Sequence, residues 1–271
     1  MIRIALFTAL AEEHAFLRHL TPPWERLKLH AVRTYRKRFN NVTCTLYETG
    51  MGREAFERAF EFAFADGDFD LVVSAGFAGS LDETIDVGAV CVGERFLALS
   101  GALPLQPERT LLASPTRPAA LCFTKAWDLR RARVATVERL QDKRSLAEAI
   151  GGRATLVDME TYHAAMGAAK RSVAFLSLRS VSDGLNDPID FDVETLISAD
   201  GHIQIHRVMR EIGRSPRLLA SLITAWRRSR RAAAPLAKAL RAFLTLPSRD
   251  LRRIIEEQRV SMVHALESPR G

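Results

Sequence analysis

The sequence predicts a three-layer α/β/α fold around a central mixed, mostly parallel sheet, with a helical extension at its C-terminal end. Short apolar runs alternate with helical patterns over residues 1–185, and this alternation is typical of parallel βαβ units. Glycine turns and carboxylates follow several of these runs. Beyond Asp187 the strand-like runs give way to arginine-rich helical patterns, which predicts that this last segment lies outside the sheet.

Seven apolar runs are the predicted strands. The first two are each followed by a clear helix: AEEHAFLRHL after the first, and REAFERAFEFAFA after the turn Gly50-Met51-Gly52. Because parallel strands place their carboxyl ends at one edge, a ligand site is expected there. The predicted strands are RIALFTA (3–9), VTCTLYET (42–49), DLVVSAG (70–76), VGAVCVGERFLAL (87–99), RVATV (133–137), RATLVD (153–158) and VAFLSLRSVSD (173–183).

The C-terminal segment shows helical patterns over 202–232 and 236–265, and prolines interrupt them. Ser215 is a predicted N-cap, with Pro216 at the first helical position, and Pro235 and Pro247 are predicted breaks. Apolar residues after Pro216 recur at helical spacing; they are Leu218, Leu219, Leu222, Ile223 and Trp226. These patterns divide the chain into an α/β domain over 1–205 and a basic helical extension over 206–271.

The positive charge of the chain is concentrated in this extension. Between Arg207 and Arg253 there are thirteen Arg and Lys against two acids, a net charge of +11; since the whole chain carries +7, the remainder is at −4. An anionic partner is therefore expected to bind the extension. Nucleic acid is not the expected partner, because no stripe of stacking aromatics accompanies the charge.

Composition is that of a globular protein, with 47% hydrophobic and 26% charged residues. No run approaches the roughly 18 apolar residues of a spanning helix. The three scattered cysteines, Cys44, Cys91 and Cys122, predict reduced thiols in a cytoplasmic protein rather than disulfides. Neither they nor the histidines have metal-site spacing, so no metal or other cofactor is expected.

Carboxylates and glycines collect at the ends of the predicted strands. Glu12 and Glu13 follow the first strand, Glu160 follows Asp158, and Asp183 ends the last strand. Each acid also has a simpler interpretation: first-turn acids complement a helix dipole, and aspartates cap helices or form turns. The glycine turns GMG and GFAG are useful sterically without any ligand. Asp158 is expected to face solvent or to cap the next helix.

Five segments in order resemble the nucleoside phosphorylase and nucleosidase superfamily, most closely the nucleosidases that cleave methylthioadenosine and S-adenosylhomocysteine. They keep the family's order and roughly its spacing over 1–187. The resemblance implies an enzyme, either an N-ribosyl hydrolase or a pentosyltransferase, that cleaves the N-glycosidic bond of a purine nucleoside. The five segments are ALAEEHAFLRHL, ETGMGREA, SAGFAGSLDETIDVGAVCVGERF, LVDMETYHAA and FLSLRSVSDGLND.

The resemblance also assigns roles to individual residues. Glu13 matches the base that activates water, Asp183 matches the acid that protonates the departing purine, and Ser182 is the expected partner that orients Asp183. Glu160 matches the residue that binds the ribose hydroxyls, and Met159 the residue that packs under the sugar. The remaining residues expected to bind substrate are Gly52, Phe77, Ala78, Gly79 and, in the VERLQDK segment, Leu140.

Two departures from the family pattern bear on the reaction. Phe77 stands where the nucleosidases usually have a small polar residue, which alters the pocket near the ribose. The phosphate-binding arginines of the phosphorylases are missing: the first turn reads TALAEE and the central strand LVVSAG. Hydrolysis is therefore favoured over phosphorolysis, although Arg53 or an arginine from a second subunit could replace them. A non-catalytic nucleoside- or membrane-binding protein is the third interpretation.

The extension looks like that of hopanoid-associated members of the superfamily, which are linked to the release of adenine from adenosylhopane, a lipid-tethered nucleoside. Residues 215–244 would then bind the inner face of the cytoplasmic membrane peripherally, since a basic helix with an apolar face suits an anionic interface. In the alternative, Leu218–Trp226 packs on the α/β domain and its arginines face water. A homodimer is expected by analogy with the family.

Overall fold

The computed structural model describes residues 1–27, 32–100, 106–112, 128–139, 142–187 and 217–267. In these ranges the chain forms ten strands, and every predicted strand is among them. Their bounds are β1 Ile2–Thr8, β2 Glu25–Leu27, β3 Arg33–Phe39, β4 Val42–Glu48, β5 Leu71–Ser80, β6 Val90–Ser100, β7 Gln106–Leu112, β8 Arg130–Val137, β9 Leu156–Asp158 and β10 Ala174–Asp183.

Six helices lie in the described residues. The first two coincide with the predicted helices, because their apolar residues recur at helical spacing and bury one face. The bounds are α1 Ala11–Leu20, α2 Arg53–Asp66, α3 Lys143–Ile150, α4 Thr161–Lys170, α5 Arg217–Leu244 and α6 Ser248–Glu267.

The strands form one mixed sheet that partly closes on itself. At one side β1 pairs in parallel with β4 and β5, and the β2–β3 hairpin extends β4 antiparallel. At the other side β5 pairs with both β9 and β10. The strand β10 also pairs with β6, β6 with β8 and β8 with β9, which closes this part of the sheet. The strand β5 therefore belongs to both parts, which places its residues at the centre of the molecule.

Helices cover both faces of the sheet and give the predicted three layers. On one face α2 and α4 pack through residues such as Phe60 and Ala168. On the other face α1, α5 and α6 pack through residues such as Leu17, Leu240 and Leu251. Three strands, β2, β3 and β7, were not predicted: the run RTYRKRF that forms β3 is dominated by basic residues, so it lacks the apolar alternation that marks a half-buried strand.

The helix α5 corrects the prediction that Pro235 breaks the chain. It continues from Arg217 to Leu244 with Pro235 inside it. Leu236, Leu240 and Phe243, which follow the proline, are completely buried in the sheet-facing core, and this packing offsets the hydrogen bond that proline removes. The break at Pro247 agrees with the boundary between α5 and α6, whereas Ser215 and Pro216 lie outside the described residues.

The C-terminal helices are thus part of the hydrophobic core. We expect Leu240→Ala to lower the free energy of unfolding by about 2–5 kcal/mol, because it removes a side chain with no solvent exposure. Arg241→Ala, at the neighbouring exposed position, is the control and should change stability by less than about 0.5 kcal/mol. Chemical denaturation measures both. Equal stability of the Leu240 variant and the parent would contradict the assignment of α5 to the core.

Candidate active site

A cleft lies where β1 and β4 end, beside the middle of β5. It encloses about 210 Å³ of empty space, part of it continuous with solvent. Glu13 and Glu160, which are far apart in the chain, both line it, and so does the unpaired hydroxyl of Thr8. The lining residues are Phe7, Thr8, Ala9, Glu13, Thr49, Phe56, Ser74, Ala75, Gly76, Glu160 and Arg179.

Glu13 is held in this cleft by three backbone N–H groups. Its Oε2 accepts hydrogen bonds from the N–H of Ala9 (2.7 Å) and of Leu10 (3.0 Å), and its Oε1 accepts one from the N–H of Phe77 (2.8 Å). The bond from Leu10 is a helix cap, so the simpler interpretation of Glu13 holds in part. The bond from Phe77 crosses to β5, however, and a helix cap does not require it. Burial raises the pKa of Glu13, against the opposing effect of these donors and of Arg179.

Gly76 and Gly79 lie inside β5, so the glycine turn predicted at GFAG is wrong, and the contacts of Gly76 explain why a glycine is needed there. A Cβ atom on Gly76 would lie 2.5 Å from Oε1 of Glu13 and 3.2 Å from Nη1 of Arg179. Any larger residue would have to displace one of these two charged groups. The glycine therefore allows a carboxylate and a guanidinium to approach the β5 backbone from the cleft.

Glu160 enters the cleft from the N-terminus of α4. Its Oε1 accepts a hydrogen bond from the N–H of Gly52 (2.7 Å). Gly52 has φ +85°, which favours glycine. Met159 lies beside it, since a Cβ on Gly52 would be in ordinary van der Waals contact with Met159 Cε at 4.0 Å. Burial of the carboxylate, and next the charge of Asp158, raise the pKa of Glu160 to about 8.

Asp158 does not face solvent, and this part of the prediction is wrong. Its Oδ2 pairs with Nε of Arg179 (2.7 Å), and both side chains are almost fully buried. It also accepts hydrogen bonds from the N–H of Thr161, at the start of α4, and from the Thr136 hydroxyl (2.7 Å), so the expected helix-capping contact is present. Arg179 in turn donates to the Ser74 hydroxyl (2.8 Å). A buried carboxylate needs a positively charged partner in addition to hydrogen-bond donors, and Arg179 is that partner.

Asp183 lies at the end of β10, next to the cleft residues but not among those that line it. Its Oδ1 accepts a hydrogen bond from the Ser182 hydroxyl (2.6 Å), and this hydroxyl also contacts the carbonyl of Ala78 (3.4 Å). Its Oδ2 pairs with the ammonium of Lys143. Gly79, near the end of β5, leaves room for this pair because it has no side chain. A Cβ on Gly79 would lie only 3.0 Å from Oδ2 of Asp183.

The residues expected from the sequence thus form two adjoining groups along β5. One group lies around Gly76 and contains Glu13, Glu160 and the backbone of Phe77; the other lies around Gly79 and contains Ser182 and Asp183. Gly76 and Gly79 are three residues apart in β5, about 10 Å at roughly 3.3 Å per residue, and a strand directs residues three apart to opposite faces. Leu140 lies outside the described residues.

Two site residues were missed by sequence reasoning. Arg179 had a usable signal, since it is a lone charge in the otherwise apolar strand AFLSLRSV, and such a charge must be paired when buried. Lys143 had none, because it follows Asp142 in a polar segment that reads as an ordinary helix start. Only the tertiary fold brings it to Asp183.

The arrangement of buried acids around a cleft at the strand ends agrees with a family-model comparison, which matches residues 3–211 to the phosphorylase superfamily. The chain belongs to this superfamily. A search of curated proteins finds no match.

Similar solved structures have the same fold at low sequence identity. A mutant methylthioadenosine nucleosidase from Helicobacter pylori with 5'-methylthioadenosine in its active site has a TM-score of 0.67 and 17% identity, over 89% of this chain and 97% of that one. Futalosine hydrolase from the same organism has a TM-score of 0.66 and 18% identity, over 89% of this chain and 96% of that one. S-adenosylhomocysteine nucleosidase from Streptococcus pyogenes, in complex with 5-methylthiotubericidin, has a TM-score of 0.67 and 17% identity, over 91% of this chain and 98% of that one.

The raised pKa of Glu160 predicts a pH-dependent stability. Folding favours the neutral form, so the folded protein binds more protons than the unfolded chain between about pH 4.5 and pH 8, and the free energy of unfolding falls as pH rises through this window. Glu160→Gln cannot ionise, yet its amide oxygen can still accept from Gly52. We expect the variant to gain stability relative to the parent as pH is raised from about 5 to about 9.

Denaturant unfolding at each pH measures this difference, and Glu54→Gln, an exposed acid in the first turn of α2, is the control. A stability difference between the Glu160 variant and the parent that is the same at every pH would contradict the electrostatic assignment.

Proposed function

We propose that the protein is a nucleosidase that hydrolyses the N-glycosidic bond of an adenine-type purine nucleoside. The observation that carries the proposal is Glu13, a buried carboxylate held by backbone donors from the β1–α1 connection and from β5 in a cleft that it shares with Glu160. A buried acid with a perturbed pKa that lies in a cleft is a candidate functional group.

The geometry supports a division of roles along the cleft. Glu13 accepts a proton from a water molecule that attacks C1′, and its raised pKa brings it towards the range in which a general base works near neutral pH. Glu160 binds the ribose hydroxyls beside it, and Met159 packs under the sugar. Asp183, at the Gly79 end, faces the purine, which must be protonated before it can leave. We assign substrate contacts to Phe77, Ala78 and Gly79 as well, because this stretch of β5 joins the two groups.

Water is a better nucleophile than phosphate for this cleft. Among the residues that line it, Arg179 is the only cation, and it is already paired with Asp158. A phosphate dianion would stand beside the carboxylates of Glu13 and Glu160 without an uncommitted positive partner, and such anions require one. Water carries no charge and avoids this repulsion. Phosphorolysis is the second candidate.

We expect Glu13→Gln to lower the rate of purine release by about 10²–10⁴-fold, because the amide cannot accept the proton of water. The matched control is Glu12→Gln, an exposed neighbour on the same helix turn, which should keep the parental rate. Release of free base from adenosine and methylthioadenosine, with and without phosphate, measures both. A Glu13 variant within a few-fold of the parent would refute the base assignment, and strict phosphate dependence would favour phosphorolysis.

We further propose that the substrate is lipid-linked, as adenosylhopane is, and that α5 binds the membrane surface that holds it. No helix in the described part of the chain is long and apolar enough to span a bilayer. Ile223 and Trp226, however, are 41% and 51% exposed, and they share one helix face with Arg227 and Arg230. The guanidinium of Arg230 lies 5.0 Å from the Trp226 ring centroid.

This face has the composition of an interfacial helix. Trp and Ile can enter the boundary between headgroups and acyl chains, while the arginines remain with anionic headgroups. Each cation near such a surface contributes about 1 kcal/mol to the free energy of binding.

The homodimer expected from the family stays a prediction, which the mass of the protein in solution tests.

Substitution of both apolar residues, Ile223→Ser with Trp226→Ser, should weaken binding to anionic vesicles by at least about tenfold without changing charge. Point substitutions are preferred to deletion because α5 contributes to the core. The control pair is Arg249→Gln with Arg252→Gln, exposed on α6, and co-sedimentation with phosphatidylserine vesicles measures binding. Equal binding by the Ile223/Trp226 variant and the parent would exclude the membrane role of this face, and equal binding of the parent to neutral vesicles would exclude the role of its arginines.

A further inference from the structure

A closed turn follows Asp183, the proposed acid, and bears on its position. The N–H of Gly184 donates to Oδ2 of Asp187 (2.8 Å), and the N–H of Asp187 donates to the carbonyl of Gly184 (3.1 Å). The sheet does not fix this end of β10 by itself, because the register with β5 shifts between Val181 and Asp183. The place of Asp183 therefore depends on where the turn lies.

The turn also bears on the surroundings of the Asp183 carboxylate. The ammonium of Lys143 contacts both Oδ2 of Asp183 and the carbonyl of Gly184. One cation thus bridges the side chain and the turn, so a shift of Gly184 would change the position of the ammonium and of the carboxylate that it binds.

Arg228 of α5 holds this turn from the C-terminal helices. Its Nη2 donates to Oδ1 of Asp187 (2.6 Å), while Oδ2 of the same carboxylate accepts from Gly184. Both oxygens of Asp187 are thereby engaged, one by the helix and one by the turn. Arg228 lies beyond residues 3–211, the part of the chain that matches the phosphorylase superfamily.

The hydrophobic core fixes the position of Arg228. Residues four apart share one helix face, and the face that continues from Arg228 carries Ala232, Leu236 and Leu240, none of which is exposed to solvent. The guanidinium therefore projects from a well-packed part of α5. An ion pair that is partly exposed, as this one is, adds little to stability, so its main effect is expected on the position of the turn.

We propose that Arg228 is a positioning residue for the reaction: through Asp187 it holds the turn that keeps Asp183 facing the departing base. The inference rests on the proposed nucleosidase reaction, in which Asp183 acts on the base and Glu13 acts on the attacking water. Loss of Arg228 therefore impairs the departure of the base and leaves the activation of water unchanged.

The test uses two ribosides whose leaving groups differ. Adenosine releases adenine, which needs help from an acidic group, whereas the riboside of 4-nitrophenol releases a stable phenolate that leaves without a proton. We expect Arg228→Gln to lower kcat for adenosine by about 10–100-fold and kcat for the nitrophenyl riboside by less than about threefold. Arg228→Lys, which keeps the charge, should recover part of the adenosine rate. The control, Arg231→Gln, removes an equal charge from an exposed position of α5 and should match the parent on both ribosides.

A second variant tests the contact with the turn. Asp187→Asn keeps an acceptor for the Gly184 N–H but loses the charge that Arg228 binds. This variant should lose about as much adenosine activity as Arg228→Gln, and the double variant should lose no more than either, because both substitutions act through one contact. Thermal unfolding should place each midpoint within about 4 °C of the parent.

Three outcomes would overturn the inference. Arg228→Gln could keep the parental rate with adenosine. It could lose the same factor on both ribosides, since a general disturbance of the fold would act on water and base alike. If the parent does not cleave the nitrophenyl riboside, additive losses from Arg228→Gln and Asp187→Asn would count against the contact. A parent that releases no adenine would instead refute the proposed function itself.

Discussion

The buried ion pair between Asp158 and Arg179 is the interaction on which the rest of the site depends. It joins the end of β9 to the centre of β10, and through Ser74 it reaches β5. Such pairs add little net stability, but loss of one partner leaves an uncompensated buried charge and costs about 3–5 kcal/mol. The pair therefore fixes one arrangement of three strands. Glu160 lies two residues beyond Asp158, and its place in the cleft follows from that arrangement.

The same pair shapes the electrostatics of the cleft. Three carboxylates, those of Glu13, Asp158 and Glu160, surround a single guanidinium that is already bonded to one of them. The other two carboxylates carry raised pKa values because burial outweighs the attraction of Arg179. A cleft of this kind accepts neutral groups such as water and hydroxyls and disfavours anions. The proposed preference for hydrolysis thus follows from charge balance rather than from a single residue.

Much of the fold could be predicted from the sequence, because local pattern and burial agree in α1, α2, β1, β4 and β5. The prediction was wrong where tertiary packing overrides a local rule: Pro235 does not break α5, since Leu236 and Leu240 anchor the helix. The basic strand β3 was missed for the same reason. In the site, strand ends predicted where Glu13, Glu160 and Asp183 would meet β5. The partners of these acids could not be predicted, because Asp158–Arg179 and Asp183–Lys143 join segments whose contact depends on the closed sheet.

These partners give the two ends of the site different chemical properties. At the sugar end, Arg179 is permanently charged and holds its surroundings in one protonation pattern. At the other end, the ammonium of Lys143 pairs with the carboxylate of Asp183. Glycosidic cleavage makes opposite demands at these places, because positive charge develops on the sugar while the base gains an electron pair and needs a proton. Gly76 and Gly79 of one strand each admit one of the two pairs, so β5 sets the spacing between the proposed base, Glu13, and the proposed acid, Asp183.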